Sequence, residues 1–544
     1  MSALRDRWMY AGLAALLLIV GLSTLAQRPL FNPDEGRYAE IPREMLNGGD
    51  WVIPHLNGLD YIEKPPLQYW GTAISLWVFG ENEFGARLYM ALSAFGTVAL
   101  IWCLGKHLGG EEAGWRAAAV LSGTFMFLVL GQLLTLDMSL TFYMTLSLAA
   151  FLMAQQSERQ QRRWMLLAWT GAALAVLTKG LVAAAIPAAV LILYSLISRD
   201  FGPWRRLHLR WGLPLFLGLT VPWHWLAASR NSDFLQFFFV HEHFARYLTP
   251  VSDREEPWWF FGWVFLAGSV PWTVSALRVV AAGWRRPASS KGAFNPTFFL
   301  WIWVVFVLVF FSLSDSKLMP YILPAMPPLA ILIAVLPTAT LKRDFLVTAV
   351  LTTLVGVALG VASFNWPTVI GASDRAATFL PLAKQIAQIA AVLVVSGAFV
   401  WTLRNRDVTR AGVFLGLGWC LAGLLIVRAA AMAAPIYSGV GLAAAIPAAD
   451  RDAPLYSVRT YDQSLTFYLR RPVTLVEYRG ELDYGLGKRP EVAISDIGEF
   501  LRLWAAQSRA FAVMNNSTFN DLKERGMSMR VIGRNVGKVL VARQ

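Results

Sequence analysis

LQYWGTAISLWVF, residues 67–79, is the stretch on which the topology turns. It is apolar and aromatic, so it either crosses a membrane or lies along one. A crossing helix needs about 20 apolar residues, and this run is shorter. Loop charge decides the same way, because Lys and Arg concentrate in cytoplasmic loops. With the N-terminus in the cytoplasm and 67–79 left out, the cytoplasmic loops are rich in positive charge and the intervening outer loops much poorer. The cytoplasmic loops carry Lys106 and Arg116; Arg159, Arg162 and Arg163; Arg199, Arg205, Arg206 and Arg210; Arg285, Arg286 and Lys291; Lys342 and Arg343; Arg404, Arg406 and Arg410. Counting the run as a span would invert every later loop and break that pattern. An interfacial helix on the outer face is therefore expected over 67–79.

The remaining apolar runs give thirteen candidate spans, near 9–26, 87–105, 115–133, 138–155, 164–178, 182–198, 211–228, 258–281, 298–313, 320–337, 345–363, 383–403 and 411–431. The first follows Arg5 and Arg7 as a signal peptide would. So many spans come after it that an uncleaved helix is expected. Composition agrees: 56% of the 544 residues are hydrophobic and 15% are charged, against about 25% charged in soluble domains. The 23 Trp suit aromatic belts at bilayer interfaces. The net charge of +13 is accounted for by loop Lys and Arg, not by nucleic-acid binding. Cys103 and Cys420 both lie in apolar runs and build neither a disulfide framework nor a Cys-based metal site.

Two parts follow. Residues 1–435 form a transmembrane domain whose first outer loop, 27–86, carries interfacial helices. Residues 436–544 change character, with β-rich runs at Pro472–Tyr478 and Val531–Leu540 and a charged helical stretch at Glu499–Ser508. They predict a small α/β domain on the outer face.

Chemistry gathers at the outer ends of the spans. The first loop reads FNPDEGRYAEIPREM over 31–45 and GDWVIPHLNGLDYIEKPPLQYW over 49–70. Asp34 and Glu35 follow Pro33 at a helix start, where acids meet free amides. Arg37, Tyr38, Tyr61, Glu63 and Lys64 share the loop with aromatic neighbours. Lys and Arg neutralise phosphate oxygens, and Tyr and carboxylates bind hydroxyls or an amine. Asp137, Lys179, Lys317 and Tyr321 fall at outer span ends, where charge is costly and marks function. Snorkelling explains a Lys there about as well; it suits the short Asp137 less. His241 and His243, two apart beside Arg246, are too few for a closed zinc site; a third ligand such as Glu63 would be needed. No Gly-rich phosphate loop is present. Nucleotide sugars are cytoplasmic, so an outward-facing site predicts a membrane-borne donor, a polyprenyl phosphate.

The pattern P-D-E-x-R-Y-A-E-I-x-R-E-M, then G-D-W-V-I-P-H-L-x-G-x-x-Y-x-E-K-P, with the later T-K-G at Lys179, F-F-x-V-H-x-H-x-x-R at Arg246 and S-K-L-x-x-Y at Lys317 and Tyr321, resembles the bacterial aminoarabinose transferases. These are the undecaprenyl phosphate-4-amino-4-deoxy-L-arabinose:lipid A transferases, of the GT-C superfamily. The likeness covers residues 1–435. It implies thirteen spans, an outer C-terminal domain, and transfer of the sugar from undecaprenyl phosphate to a lipid A phosphate. The setting implied is the periplasmic side of a bacterial inner membrane, and the outcome implied is polymyxin and cationic-peptide resistance. By resemblance, Asp34 acts beside the sugar with Asp137 as a second carboxylate, and Lys64 and Arg246 hold the carrier phosphate. Arg37, Tyr38, Tyr61, Glu63, Lys179, Lys317 and Tyr321 form the substrate-binding set. Glu63, His241 and His243 could hold a zinc ion, though the transfer requires no cofactor. Gly36 departs from the pattern, since many relatives carry Thr there. Two rivals stay open: a protein O-mannosyltransferase of the same architecture, and a transporter of lipid-linked sugar.

Overall fold

The computed structural model describes residues 2–245, 255–284, 294–365, 380–403 and 407–544, with side chains omitted for 2–7 and 241–245. The chain divides into two compact units. One comprises Met1–Thr24, Met90–Gln132 and Leu136–Ala429; the other comprises Leu25–Tyr89, Leu133–Thr135 and Ala430–Gln544.

Among the described residues, the regular elements of the first unit are helices, apart from an isolated bridge between Glu255 and Ser316. Glu83–Ser122, Asp137–Gln156, Thr338–Phe364, Leu380–Leu403 and Val408–Tyr437 are each long and apolar enough to cross a membrane. They make this a multi-pass membrane protein. Shorter apolar helices accompany them at Trp8–Thr24, Val182–Ser198 and Pro296–Ser312, among others. Length and composition therefore do not by themselves establish thirteen spans, and three expected spans are interrupted. The run expected over 115–133 ends its helix at Ser122, extends at Thr124 and resumes as Phe125–Leu130. That expected over 258–281 splits into Phe260–Gly268 and Thr273–Gly283 around Pro271, which has no N–H to continue a helical ladder. The two breaks satisfy each other: the Phe125 N–H donates to the Val270 carbonyl at 2.9 Å. A backbone group freed inside a membrane must find such a partner. The run over 320–337 opens as a 3₁₀ turn, Met319–Ala325, and continues as Met326–Ala334, where Pro320, Pro324, Pro327 and Pro328 remove amide donors.

The second unit joins the first loop to the C-terminal tail. Helix Asp34–Gly48 is followed by a hairpin of His55–Leu56 and Leu59–Asp60 and by helix Leu67–Phe79. The last helix has the bounds expected. At 1.5 Å per residue it is about 20 Å long, short of a hydrocarbon core of about 30 Å. It buries Gln68, Tyr69, Thr72 and Ala73 and exposes Ile74, Trp77, Val78 and Phe79, an apolar outer side that suits lipid rather than water.

In the tail we label six strands: β1 Leu455–Val458, β2 Thr474–Val476, β3 Ala493–Ile494, β4 Phe511–Asn515, β5 Met529–Arg534 and β6 Lys538–Arg543. Their order across the sheet is β3-β2-β1-β4-β6-β5. The first four run parallel; β6 lies antiparallel to β4, and β5 antiparallel to β6. Its core packs Tyr456, Val458, Val476, Phe500, Trp504, Met514, Leu522 and Val541. The β-rich run over 531–540 belongs to a hairpin of β5 and β6. Asn535 Oδ1 accepts from the amides of Gly537 and Lys538, turning the chain between β5 and β6. The helix expected over 499–508 runs Ile497–Ala506, because Asp496 caps it by accepting from the Glu499 N–H at 2.8 Å.

Candidate active site

Two clusters of polar residues stand out, one in each unit. In the second unit the sequence sets Asp34 and Glu35 side by side, and the fold gives them opposite fates. The Glu35 side chain is 3% exposed and Asp34 53%. Arg28 Nη2 donates to Glu35 at 2.7 Å and Arg87 Nε at 2.9 Å. The amides of Phe31 and Leu134 each donate at 3.0 Å. Burial would push the Glu35 carboxyl up, but Arg87 and Arg28 outweigh it and hold it at about 2. Glu35 is thus an anchor that is ionised at neutral pH. Arg87 also donates to the carbonyls of Leu25 and Arg28, at 2.6 Å each, tying the loop's two ends together.

Asp34 faces the other way. One turn on, Arg37 reaches back through Nη2 to Asp34 Oδ1 at 2.7 Å. Its Nη1 donates to the Tyr61 hydroxyl at 2.9 Å and meets Glu481 at 2.7 Å. Arg37 itself is buried and lies 5.8 Å from the Tyr38 ring centre. Tyr38 stacks on Tyr69 at 6.0 Å. Burial, with Glu63 and Glu481 adding to it against Arg37, pushes the Tyr61 hydroxyl well above its ordinary value, so it stays protonated. Burial likewise pushes the Glu481 carboxyl up, against the pull of Arg37. Lys64 Nζ donates to the Glu63 carbonyl at 2.9 Å.

Gly36 has a structural reason. A Cβ there would lie 2.5 Å from the Ser464 backbone nitrogen and 2.7 Å from the Gln463 carbonyl carbon. Both are backbone atoms that cannot turn aside. Gly36→Thr, which restores the residue of the resembled pattern, is expected to destabilise this protein by about 1–3 kcal/mol through overpacking. A lower melting temperature in detergent checks this; an unchanged one contradicts it.

In the first unit, Asp137 opens helix Asp137–Gln156 and Lys179 closes helix Gln161–Lys179. Lys179 Nζ forms an ion pair with Asp137 Oδ1. The same ammonium lies 4.4 Å from the Tyr321 ring centre, a cation–π contact. Tyr321 packs on Phe311 at 5.2 Å. Lys317 is buried, 7% exposed.

The fold therefore joins Asp34, Arg37 and Tyr61 in one cluster and Asp137, Lys179 and Tyr321 in another. Arg246 lies outside the described residues, as do the side chains of His241 and His243, whose backbone belongs to a π-helix, Gln236–Ala245. Among the described residues no three His, Cys, Asp or Glu side chains are grouped to hold a metal. Glu35 is an anchor with Arg28 and Arg87, a part the sequence did not distinguish from that of Asp34. Arg87 at the edge of an expected span was the one available signal. Glu481 had none, because 444 residues separate it from Arg37.

Apolar helices long enough to cross a membrane, an ionisable cluster in each unit and an α/β tail fit a membrane-embedded glycosyltransferase. Comparison with known proteins supports that class and narrows it. Residues 8–238 match the dolichyl-phosphate-mannose-protein mannosyltransferase family, and residues 442–543 match the aminoarabinose transferase C-terminal domain. An undecaprenyl phosphate-alpha-4-amino-4-deoxy-L-arabinose arabinosyl transferase of Pseudomonas aeruginosa is 32% identical over 538 residues, 90% of each chain. A second such enzyme, of Pseudomonas fluorescens, is 35% identical over 370 residues, 66% of this chain and 61% of its own. The crystal structure of ArnT from Cupriavidus metallidurans bound to undecaprenyl phosphate superposes with a TM-score of 0.88 at 33% identity, covering 98% of both chains. The chain belongs to the aminoarabinose transferase family.

Proposed function

We propose that this protein transfers 4-amino-4-deoxy-L-arabinose from undecaprenyl phosphate to a phosphate of lipid A. The observation that carries the reading is the Asp34–Arg37–Tyr61 cluster, in a family whose relatives are named for that donor and sugar. A phosphate acceptor is ionised at neutral pH, so no strong general base is required. The barrier lies in positioning and in stabilising charge. Asp34 offers a half-exposed carboxylate to the positive charge that develops on a departing glycosyl group. Lys64 and Arg246 are assigned to the carrier phosphate, with Asp137 as the second carboxylate. Arg37, Tyr38, Tyr61, Glu63, Lys179, Lys317 and Tyr321 bind substrate. The reaction belongs on the periplasmic side of a bacterial inner membrane, with the N-terminus in the cytoplasm. Loop charge and the absence of nucleotide sugars outside the cell support that side. Added positive charge on lipid A would lower its affinity for polymyxin and other cationic peptides.

The test uses purified protein in detergent with undecaprenyl phosphate carrying either aminoarabinose or mannose, and with lipid A or an extended Ser/Thr peptide as acceptor. Product is expected only from aminoarabinose and lipid A. Product from mannose and the peptide would instead make the chain a protein mannosyltransferase. No product in any combination would leave the transporter reading. We also propose that the transfer needs no metal: a chelator is expected to leave the rate unchanged. A loss reversed by zinc would give Glu63, His241 and His243 a ligand role.

A further inference from the structure

The parallel part of the tail sheet runs β3-β2-β1-β4, so the chain reverses its winding direction at β1. Open α/β sheets bind ligands outside the carboxyl ends of their strands at such a reversal. Here those carboxyl ends are occupied by the first loop. After β1, Asp462 accepts from Asn32 Nδ2 at 2.7 Å and from Lys538 Nζ at 2.9 Å. Helix Gln463–Leu469 follows, and Gly36 lies against its start. After β2, the chain turns through Gly480, whose φ of +46° favours a residue without a side chain. The turn presents Glu481. One Glu481 oxygen meets Arg37 Nη1 at 2.7 Å; the other accepts from Gln463 Nε2. Arg37 in turn holds Asp34. The relay Gln463–Glu481–Arg37–Asp34 thus runs from the tail sheet to the carboxylate assigned to the chemistry.

We propose that Glu481 is a positioning residue for the transfer: from the carboxyl end of β2 it fixes Arg37, and through Arg37 the direction of the Asp34 carboxylate. The tail domain is then part of the catalytic apparatus. Four features support a positional role. Glu481 is 14% exposed, both its oxygens are engaged, and its two partners come from separate segments. Asp34, by contrast, keeps Oδ2 without a hydrogen bond among the described residues. Without Glu481, Arg37 keeps Asp34 and Tyr61 but loses the contact that stops its guanidinium from rotating. A carboxylate misplaced by about 1 Å loses up to about 10²-fold in rate.

This assignment rests on the function proposed above, and the experiment separates the two. Full-length wild type, E481A, E481Q and Q463A are purified in detergent. Transfer from undecaprenyl phosphate-aminoarabinose to lipid A is measured alongside thermal unfolding. E481A is expected to lower kcat by roughly 10- to 100-fold, with KM for the donor and the melting temperature close to wild type. E481Q keeps an acceptor for Arg37 and is expected to recover most of the rate. Q463A, which frees one Glu481 oxygen, is expected to fall between them. A wild-type kcat in E481A overturns the assignment, as does a loss of rate that tracks the melting temperature across all three variants. A wild type that transfers no sugar overturns the function reading instead.

Discussion

Asp34→Asn is expected to fold as the wild type does and to lose transfer by about 10²- to 10³-fold, the usual effect of removing one preorganised electrostatic group. Asparagine keeps the size of the side chain and an oxygen for Arg37, which now donates to Asp34 at 2.7 Å. What it removes is the charge. Asp34 is half-exposed at the start of its helix, so little packing depends on it and the melting temperature should barely move. A phosphate acceptor brings its own negative charge, leaving the developing positive charge on the sugar as the feature a fixed carboxylate can favour. The variant is measured for kcat and KM with purified donor and lipid A. The loss should appear in kcat, because the interaction strengthens only as the sugar becomes cationic. A variant with wild-type kcat would remove Asp34 from the mechanism.

The neighbouring residue gives the opposite result. Glu35→Ala is expected to cost about 3–5 kcal/mol of stability, because it leaves two arginines buried without their common partner. Arg28 and Arg87 are 2% and 1% exposed. The cost should appear as a large drop in melting temperature, whatever happens to turnover. The same carboxylate predicts an acid limit. Its pKa is about 2 in the folded protein against 4.5 for the free side chain. A depressed folded value means that the stabilisation is complete above the unfolded pKa and is lost as pH falls from about 4.5 toward 2. At roughly 1.4 kcal/mol per pH unit, this amounts to about 3 kcal/mol. Melting temperature followed from pH 6 to pH 3 should decline more steeply in wild type than in Glu35→Gln, which has no such group to titrate. Equal slopes would show that Glu35 is not the ionised anchor described.

The two predictions mark how far the sequence could be read. Residues 67–79 were legible as a helix too short to cross a membrane, because length and loop charge both bear on them, and the helix has those bounds. Expected spans at 115–133 and 258–281 were less legible. Apolarity reports the environment of a segment, whereas helix continuity there is broken at Thr124 and Pro271, where the two segments bond to each other. Asp34 and Glu35 are adjacent acids after a proline, and nothing local separates a solvent-facing carboxylate from a buried anchor. The distinction comes from Arg28, Arg87 and the Leu134 amide. Asp137, Lys179 and Tyr321 were each marked by their cost at a membrane edge, and the fold brings them into contact. Glu481 could not be found from sequence, because its meaning depends on the carboxyl end of β2 facing a helix hundreds of residues earlier. Gly36 was visible as a departure from the resembled pattern, and its cause emerged only with the Ser464 backbone beside it.

The most direct measurement is the mass of lipid A from a strain deleted for the chromosomal gene and complemented with wild type or with Asp34→Asn. Wild type is expected to restore the mass increment of one or two aminoarabinose units on the phosphates, and the variant to restore none. Lipid A left unmodified by a wild-type protein present in the membrane, with the donor lipid available, would contradict the account.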